Sequence, residues 1–487
     1  MTWANRTPAE MAALGRVARE RILRSRYEFG GSRRKEPLTV VVGQSENGLS
    51  ALADATSTWD SDPLMYRVGW GGAALALSFF SVACDIGAHA GVSGVGGAAG
   101  AVHGAGSGPV AGAPAGGAGQ SSNGGTLSSA GGSAVSSAGS SSASPGTLRD
   151  YLADPAYPDD FWQPASAGES QVDPAPLAQA VSLIASSGWE IHSFLIAKNG
   201  RLVFERYGWD TGLNPAISSP PHQVLPSERQ PQFSTTKSFL SALVGVALAE
   251  GAISSLQVHA ADSFPDYAML NPTADKSSIT LEDLLTMRSG LDFEEGDQST
   301  FSAPDPARAM FERPVVDTPV GTVWNYSSGG ANVIAEMLRV ATGKTPLEYG
   351  NQKLFGPIGI SSPPWDSGQN GTNFGAFGLA LTTREMARFG ELFRNSGKWQ
   401  GQAVVPAGWT DESTTPRCAS AWGGQYGYLW WVPNLNGFFN ALGSFGQMIY
   451  VNRERALVIV FTAYMQNDVA KNNLEQLIRD YVLPATQ

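Results

Sequence analysis

Residues 232–251 read QFSTTKSFLSALVGVALAEG, a short polar turn followed by an apolar segment. The apolar segment predicts a buried helix over Ser238–Glu250. Gly251 ends this helix, because glycine readily takes the left-handed conformation found after helix C-termini. Ser234 and Lys237 stand just before the helix, three residues apart. One helical turn would therefore bring the lysine amine to the serine hydroxyl.

This pair has the chemistry of a nucleophile and its base. A helix N-terminus carries partial positive charge and free backbone N–H groups, which stabilise a developing oxyanion. A buried lysine with a lowered pKa can accept the proton of the Ser234 hydroxyl, so no histidine is needed. The alternative is a capped helix with a solvated lysine. Ser-x-x-Lys also occurs at residues 32–35, in a basic stretch without a helix start.

A second element, WNYSSGGAN at residues 324–332, leads into a predicted helix over Ala331–Thr342 and contains the pattern Tyr-x-Ser at Tyr326 and Ser328. A tyrosine beside a lysine can lose its proton at a lower pH than usual and then pass a proton to a leaving group. The alternative for this stretch is an aromatic anchor in a loop.

A third element, ALGSFGQ at residues 441–447, precedes a predicted strand. Glycine at a strand edge lets a substrate backbone approach closely, and a backbone N–H there can complete an oxyanion hole. Gly443 and Ser444 are therefore candidate substrate-binding and oxyanion-hole residues. The alternative is a simple tight turn.

The order and spacing of these three elements resemble the serine β-lactamase and penicillin-binding-protein superfamily. The similarity is greatest to its class C β-lactamase-like branch, which includes esterases and aminohexanoate-oligomer hydrolases. The resemblance covers about residues 170–485. Further family-like phrases occur in the expected order at residues 281–291, 378–390 and 426–431.

The resemblance implies a role for each candidate residue. Ser234 would be the acylated nucleophile, Lys237 would activate it, and Tyr326 would act with Lys237 as general base and acid. Ser328 would hydrogen-bond the substrate or Lys237. The backbone N–H groups of Ser234 and of a residue near Ser444 would form the oxyanion hole.

The third element departs from the family pattern. Many members have Lys-Thr-Gly or His-Thr-Gly where this chain has Ala441-Leu442-Gly443, and a cation there would bind a substrate carboxylate. Its absence favours a hydrolase acting on less charged esters or amides. The alternatives are a β-lactamase or penicillin-binding D-alanyl peptidase, and a catalytically silent lipoprotein that binds a ligand. Three aromatic residues are candidates for either the cleft or the core: Trp324, Tyr428 and Trp430.

We predict an α+β fold, with an antiparallel sheet built from N- and C-terminal strands, flanked by helices, plus a mostly helical lobe. Asn199-Gly200 separates the strand-like runs 193–197 and 201–206, which is typical of a hairpin. Residues 447–451 and 457–461 predict a second hairpin. Further helices are predicted at Leu281–Met287, Thr383–Asn395 and Asn467–Tyr481. A cleft between sheet and lobe is the expected site.

The chain before residue 149 carries export signals. Residues 65–83 hold one positive charge and then an apolar run ending in small residues, the plan of a lipoprotein-type signal peptide with Cys84 as the lipid attachment site. The Gly/Ala/Ser-rich composition of residues 84–148 predicts a flexible tether. Because a signal peptide stands first, residues 1–64 are a doubtful extension, and we expect translation to start at Met65. The alternative is a buried helix with an ordinary cysteine.

Residues 149–487 form the predicted β-lactamase-like serine hydrolase domain. The expected location is the bacterial cell envelope, as a membrane-anchored lipoprotein facing the periplasm or the exterior. The expected partners are a small-molecule ester, amide or peptide substrate and, through Cys84, a membrane.

Composition excludes several other classes of protein. The 487-residue chain has a formal net charge of −11, which argues against nucleic-acid binding. Its five histidines include no His-x-x-x-His pair, so the zinc-protease pattern is missing. The two cysteines, Cys84 and Cys418, cannot form a cysteine-rich zinc site. We expect no metal and no cofactor.

Overall fold

The computed structural model describes residues 148–487 except 153, 155, 158, 160, 166, 215–218, 265–272, 434 and 436, together with two short strands near the N-terminus. The chain divides into two compact units, residues 1–79 and 80–487. In the first unit, β1 (Leu38–Val40) pairs antiparallel with β2 (Ala53–Ala55). The predicted signal peptide, Cys84 and the tether up to residue 147 lie outside the described residues and stay predictions.

The second unit contains strands β3 to β17 and helices α1 to α14. The strands are β3 Arg149–Asp150, β4 Ile191–Lys198, β5 Arg201–Tyr207, β6 Trp209–Asp210, β7 His222–Gln223, β8 Gln230–Pro231, β9 Ala380–Leu381, β10 Lys398–Trp399, β11 Gln402–Ala403, β12 Cys418–Ala419, β13 Gln425–Tyr426, β14 Trp431–Val432, β15 Phe438–Gly443, β16 Gln447–Asn452 and β17 Leu457–Ala463.

The helices are α1 Ala167–Ser170, α2 Pro174–Ser187, α3 Thr236–Ala249, α4 Ala260–Ser263, α5 Ala274–Ser278, α6 Leu281–Leu285, α7 Gln298–Ser302, α8 Pro306–Phe311, α9 Ser328–Thr342, α10 Pro346–Gly350, α11 Thr383–Arg394, α12 Ala407–Thr414, α13 Asn467–Leu477 and α14 Leu483–Ala485. Short 3₁₀ turns occur at Phe233–Thr235, Gly356–Ile358 and Ser444–Gly446, and π-helical turns at Asn351–Phe355 and Ile478–Val482.

One antiparallel sheet joins the two ends of the folded region. Its strand order is β12-β13-β14-β15-β16-β17-β4-β5-β3. The C-terminal strand β17 pairs directly with the N-terminal strand β4, with Ile459 opposite Ile196. The predicted α+β architecture, with terminal strands in one sheet and helices between them in sequence, is therefore confirmed.

Both predicted hairpins are present. Asn199 and Gly200 connect β4 to β5 with φ angles of +54° and +75°. Positive φ at both turn residues matches the twist of the two strands, which explains the Asn-Gly pair. In the C-terminal hairpin, β16 and β17 extend beyond the predicted runs to Asn452 and Ala463.

The predicted helices differ from the observed ones at their ends. Helix α3 begins at Thr236, two residues early, because it continues directly from the 3₁₀ turn at 233–235. Helix α9 begins at Ser328, because the Ser327 side chain caps it by accepting the Gly330 N–H at 2.9 Å. The last predicted helix is α-helical only to Leu477 and then passes into a π-helical turn.

The sheet separates two hydrophobic cores. Along β4, Leu195 and Ala197 face the helical lobe, whereas Phe194 and Ile196 face the layer formed by α2 and α13. This alternation follows from the two-residue period of a strand. Helix α3 is buried on every side from Thr236 to Ala247, as expected for a central helix that is apolar all round. Its N-terminus therefore lies deep in the fold, beside the sheet.

No helix within the described part of the chain has the length and apolar character needed to cross a membrane.

Candidate functional site

The predicted nucleophile lies in a constrained turn. Ser234 is the middle residue of the 3₁₀ turn at 233–235 and is half-buried. Phe233, just before it, has φ of +45°, a left-handed conformation that is uncommon for a bulky residue and is typical of functional sites. The Thr235 hydroxyl donates a hydrogen bond to the Gln447 carbonyl of β16 at 3.2 Å. These contacts fix Ser234 between the start of α3 and the sheet.

Lys237 contacts Ser234 as its spacing predicts. Its Nζ lies 2.9 Å from the Ser234 Oγ, 2.9 Å from the Ser328 Oγ and 3.2 Å from the Ala376 carbonyl. The side chain is only 1% exposed. Burial lowers the pKa of the Lys237 amine to about 8, against the opposing effect of the Glu295 charge. A substantial fraction of the amine is therefore neutral in mildly alkaline solution.

Tyr326 completes this group of side chains, but its pKa moves in the opposite direction from the one expected. The hydroxyl is hydrogen-bonded with the Ser234 side chain, and the Lys237 Nζ lies over the ring, 4.8 Å from its centroid. Burial, together with the negative charge of Glu295, raises the pKa of Tyr326. The expectation of a lowered pKa is wrong, because burial of the hydroxyl makes the largest contribution and raises it. Tyr326 therefore holds its proton at neutral pH.

Glu295 is a site residue that the sequence analysis missed. Its carboxylate accepts a hydrogen bond from the Ser328 Oγ at 2.5 Å and from the Ser328 backbone N–H at 3.1 Å. It therefore lies at the N-terminus of α9, where a negative charge is favourable. Ser328 accepts from the Lys237 amine and donates to Glu295, so one hydroxyl connects the lysine to the carboxylate. Nothing in the sequence distinguishes Glu295 from the adjacent Glu294.

The structure places the third element against the nucleophile turn. Gly443 ends β15, and a Cβ at this position would lie 2.3 Å from the Gln232 carbonyl oxygen and 3.0 Å from the Thr235 Oγ1. Only glycine permits this close approach. Ser444 follows as the half-buried first residue of a 3₁₀ turn. Ala441 is fully buried within β15, so no cation stands at that strand position.

An aromatic cluster continues from Tyr326 toward the surface. The Trp422 ring lies 4.9 Å from the Tyr326 ring and 5.9 Å from Trp431, which also stacks on Tyr326 at 5.8 Å. Trp422 is 55% exposed. Trp324, one of the three predicted aromatics, joins this cluster through its contact with Tyr326 at 6.1 Å. The cluster offers an apolar surface next to the reactive side chains.

The other two predicted aromatics belong to the core. Tyr428 stacks on Trp409 at 5.4 Å, and its hydroxyl donates to Glu282. Trp430 is fully buried and stacks on Phe389 at 5.8 Å. The sequence does not show which of the two adjacent tryptophans contacts the site. In the structure Trp431, and not Trp430, stacks on Tyr326.

Comparisons with solved structures agree with this fold. A Bacillus anthracis protein assigned as a 6-aminohexanoate-dimer hydrolase has a TM-score of 0.54 at 21% identity, over 69% of this chain and 89% of that one. A penicillin-binding-protein homologue from Caulobacter crescentus gives 0.53 at 16% identity, over 64% and 97%. A family VIII carboxylesterase gives 0.52 at 17% identity, over 63% and 96%.

No curated protein matches the chain. A sequence model of the Beta-lactamase family matches residues 192–483, more than half of the chain, and these residues include all three sequence elements. The superfamily resemblance predicted from those elements is thereby confirmed, and the chain belongs to the Beta-lactamase family.

Proposed function

We propose that the protein is a serine hydrolase that cleaves esters or amides through an acyl-enzyme on Ser234. The observation that carries this proposal is the contact of the buried Lys237 amine with the Ser234 hydroxyl at 2.9 Å. With a pKa lowered to about 8, that amine can serve as a base near neutral pH.

In the acylation step, the neutral Lys237 amine accepts the Ser234 proton while Oγ attacks the carbonyl carbon. Tyr326 donates its proton to the leaving group as the bond to the acyl carbon breaks. The chain then holds an ammonium and a phenolate. The ammonium lies close to the tyrosine ring and is connected through Ser328 to the Glu295 carboxylate. Both contacts offset the desolvation cost of forming a charged ammonium in a buried place.

In the deacylation step, the Tyr326 phenolate accepts a proton from the attacking water. The Lys237 ammonium returns its proton to the Ser234 Oγ as the acyl group leaves. Both side chains thus regain their starting protonation, and the net reaction is hydrolysis. We assign the oxyanion hole to the backbone N–H groups of Ser234 and Ser444, because the close approach at Gly443 holds the two turns together.

The surroundings of the site favour an uncharged substrate with an apolar acyl or aryl group. Trp431 stacks on Tyr326, and the exposed Trp422 lies beside both rings and presents apolar area. Ala441 occupies the position from which a cation would pair with a substrate carboxylate. These two features make a β-lactam or a peptide carboxylate the less favoured substrate.

The test is steady-state hydrolysis of p-nitrophenyl butyrate by the full chain, with benzylpenicillin and a chromogenic cephalosporin assayed in parallel. We expect ester turnover well above the turnover of either β-lactam. Rapid β-lactam turnover, or a stable penicilloyl adduct in the intact mass together with no esterase activity, would instead identify a β-lactamase or a penicillin-binding protein.

Tyr326→Phe tests the proposed acid. We expect kcat for ethyl butyrate, whose ethoxide leaving group must be protonated as it departs, to fall about 10²–10⁴-fold, the usual contribution of general acid–base catalysis, because the leaving group loses its proton donor. Tyr426→Phe is the matched control, since Tyr426 is a buried tyrosine whose ring lies 6.5 Å from the Tyr326 ring. Equal losses in both variants would assign the effect to packing and contradict the proposed role.

Glu295→Gln tests the proposed electrostatic role of the carboxylate. The Glu295 charge raises the pKa of Lys237, so its removal should lower that pKa and move the rising limb of the kcat/KM profile to lower pH. We expect a small displacement, because Glu295 is exposed and water screens its charge. Glu294→Gln provides the neighbouring control. An unmoved limb, or one displaced to higher pH, would rule out this role.

A further inference from the structure

A cluster of carboxylate and imidazole side chains lies apart from the serine site. The potential ligand atoms of Glu190, His192 and Asp210 all lie within 4.8 Å of one another, and so do those of Asp210, His222 and Glu228. Asp210 belongs to both groups. Glu190 immediately precedes β4, His192 lies in β4, Asp210 and His222 lie in β6 and β7, and Glu228 lies in the segment before β8.

Pairing between strands brings these residues together. Asp210 of β6 lies directly opposite His222 of β7 in an antiparallel register, and residues opposite each other in such a pair project on the same face. The two histidines are 30 positions apart in the sequence, which is why a search for helical His-x-x-x-His spacing does not find them. The sequence analysis expects no metal, and this cluster is the reason for a different proposal.

His192 is oriented as a metal ligand would be. It is 1% exposed, and its Nδ1 lies 3.2 Å from the Gln230 Oε1. The Gln230 Nε2 donates to Glu228 at 2.7 Å, which fixes the amide so that its oxygen faces the histidine. The Nδ1 of His192 therefore carries a hydrogen, and its Nε2 faces the Glu190 carboxylate at 3.1 Å.

His222 has the same arrangement. Its Nδ1 lies 3.0 Å from the Pro220 carbonyl oxygen, an acceptor, so Nδ1 carries the hydrogen. Its Nε2 then faces both oxygens of the Glu228 carboxylate at 3.0 Å. Both imidazoles thus turn Nε2 toward carboxylate oxygens, which is the arrangement that a shared cation would hold.

Asp210 gives a second reason to expect a bound cation, one that does not depend on the histidines. Its side chain is 0% exposed, and its Oδ1 accepts the Gly212 N–H at 2.7 Å. Its Oδ2 is buried and has no hydrogen-bond partner within the described part of the chain. A buried carboxylate oxygen without a partner is costly, and bound cations are one of the few groups that remove this cost.

We propose that this cluster binds one divalent transition-metal ion of the Zn²⁺ class, with Asp210 as the shared ligand. Imidazole nitrogen and carboxylate oxygen are ligands that suit Zn²⁺, and each histidine already donates its other ring N–H to an oxygen acceptor, as zinc-bound histidines do. The single unpartnered oxygen of Asp210 predicts one ion per chain.

The ion would have a structural role. Gln230, which contacts both His192 and Glu228, lies four residues before Ser234. A metal ion would therefore hold the segment that leads into the nucleophile turn to the edge of β4. This inference is independent of the proposed hydrolase mechanism and can be tested without an activity assay.

The experiment uses the full chain without a polyhistidine tag, stripped with EDTA and then dialysed against micromolar Zn²⁺. We expect one bound ion per chain and a higher melting temperature with Zn²⁺ than without it, because a ligand that binds only the folded state stabilises it. Asp210→Asn should weaken binding roughly tenfold or more and remove the thermal shift.

Two further variants keep the result interpretable. Asp262→Asn is the matched control, because Asp262 is an exposed aspartate 3.8 Å from His259, and it should bind Zn²⁺ like the wild type. His222→Gln removes a half-buried ligand and tests the site if Asp210→Asn does not fold. Absence of stoichiometric Zn²⁺ in the folded wild type, or binding that survives both ligand substitutions, would overturn the proposal and leave two hydrogen-bonded histidine–carboxylate pairs.

Discussion

Hydrolysis of p-nitrophenyl butyrate should fall to the uncatalysed background in Ser234→Ala, a loss of about 10⁴-fold or more, as when other serine hydrolases lose their nucleophile. The substitution removes the only atom that can form the acyl-enzyme in the proposed mechanism. It leaves the helix start intact, because the turn is also held by the Thr235 hydrogen bond to β16. The measurement is kcat/KM, with intact mass to show that the acyl adduct of the wild type is missing from the variant.

Ser241→Ala is the control for this substitution. Ser241 lies on the same helix, is fully buried, and its hydroxyl has no hydrogen-bond partner among the described residues. The loss of an unpartnered buried hydroxyl should leave both activity and melting temperature close to those of the wild type. More than a tenth of wild-type turnover in Ser234→Ala would place the nucleophile elsewhere.

Lys237→Met should reduce kcat/KM about 10³-fold, equivalent to about 4 kcal/mol of transition-state stabilisation, because the Ser234 proton loses its acceptor. Methionine keeps much of the aliphatic volume of the lysine and removes the amine. The fold should persist, since the lowered pKa of Lys237 shows that burial disfavours its charge. Lys237→Ala should have the same effect on catalysis.

The pH profile distinguishes a base from a structural lysine. Only the neutral amine accepts a proton, so kcat/KM of the wild type should rise with pH through about 8, the pKa of Lys237, and level off above it. The residual activity of Lys237→Met should lack this limb. Lys276→Met is the matched control, because Lys276 is also buried and its amine donates to the Glu312 carbonyl, away from Ser234. Near-normal turnover in Lys237→Met would contradict the mechanism.

Local signals in the sequence account for the elements of the fold. The apolar run after Lys237 predicts α3, and Asn199-Gly200 predicts the first hairpin, because each depends on the conformational preferences of neighbouring residues. The closure of the sheet by terminal strands also follows from the pattern, since both hairpins are apolar enough to be buried. The predicted first residues of the helices are less accurate, because a helix cap such as Ser327 depends on one side-chain hydrogen bond.

The contact of Lys237 with Ser234 can also be predicted from the sequence, because the two residues lie within one helical turn. The same spacing predicts that the lysine amine acts as a base toward the serine hydroxyl. Tertiary structure decides what surrounds that contact. Glu295 reaches Ser328 across 33 positions of sequence, and its charge, with burial, sets the direction of the Tyr326 pKa. Packing in the folded chain also decides that Trp431 stacks on Tyr326, whereas Trp430 stacks on Phe389.

The cluster around Asp210 shows the same division. Contacts between residues close in the chain can be predicted from the sequence, because their geometry is the geometry of a turn or a helix. Contacts between distant carboxylates and imidazoles depend on the folded arrangement, since strand register brings Asp210 opposite His222. The electrostatic environment of a buried group depends on every charge near it in space, and a linear pattern does not contain those distances.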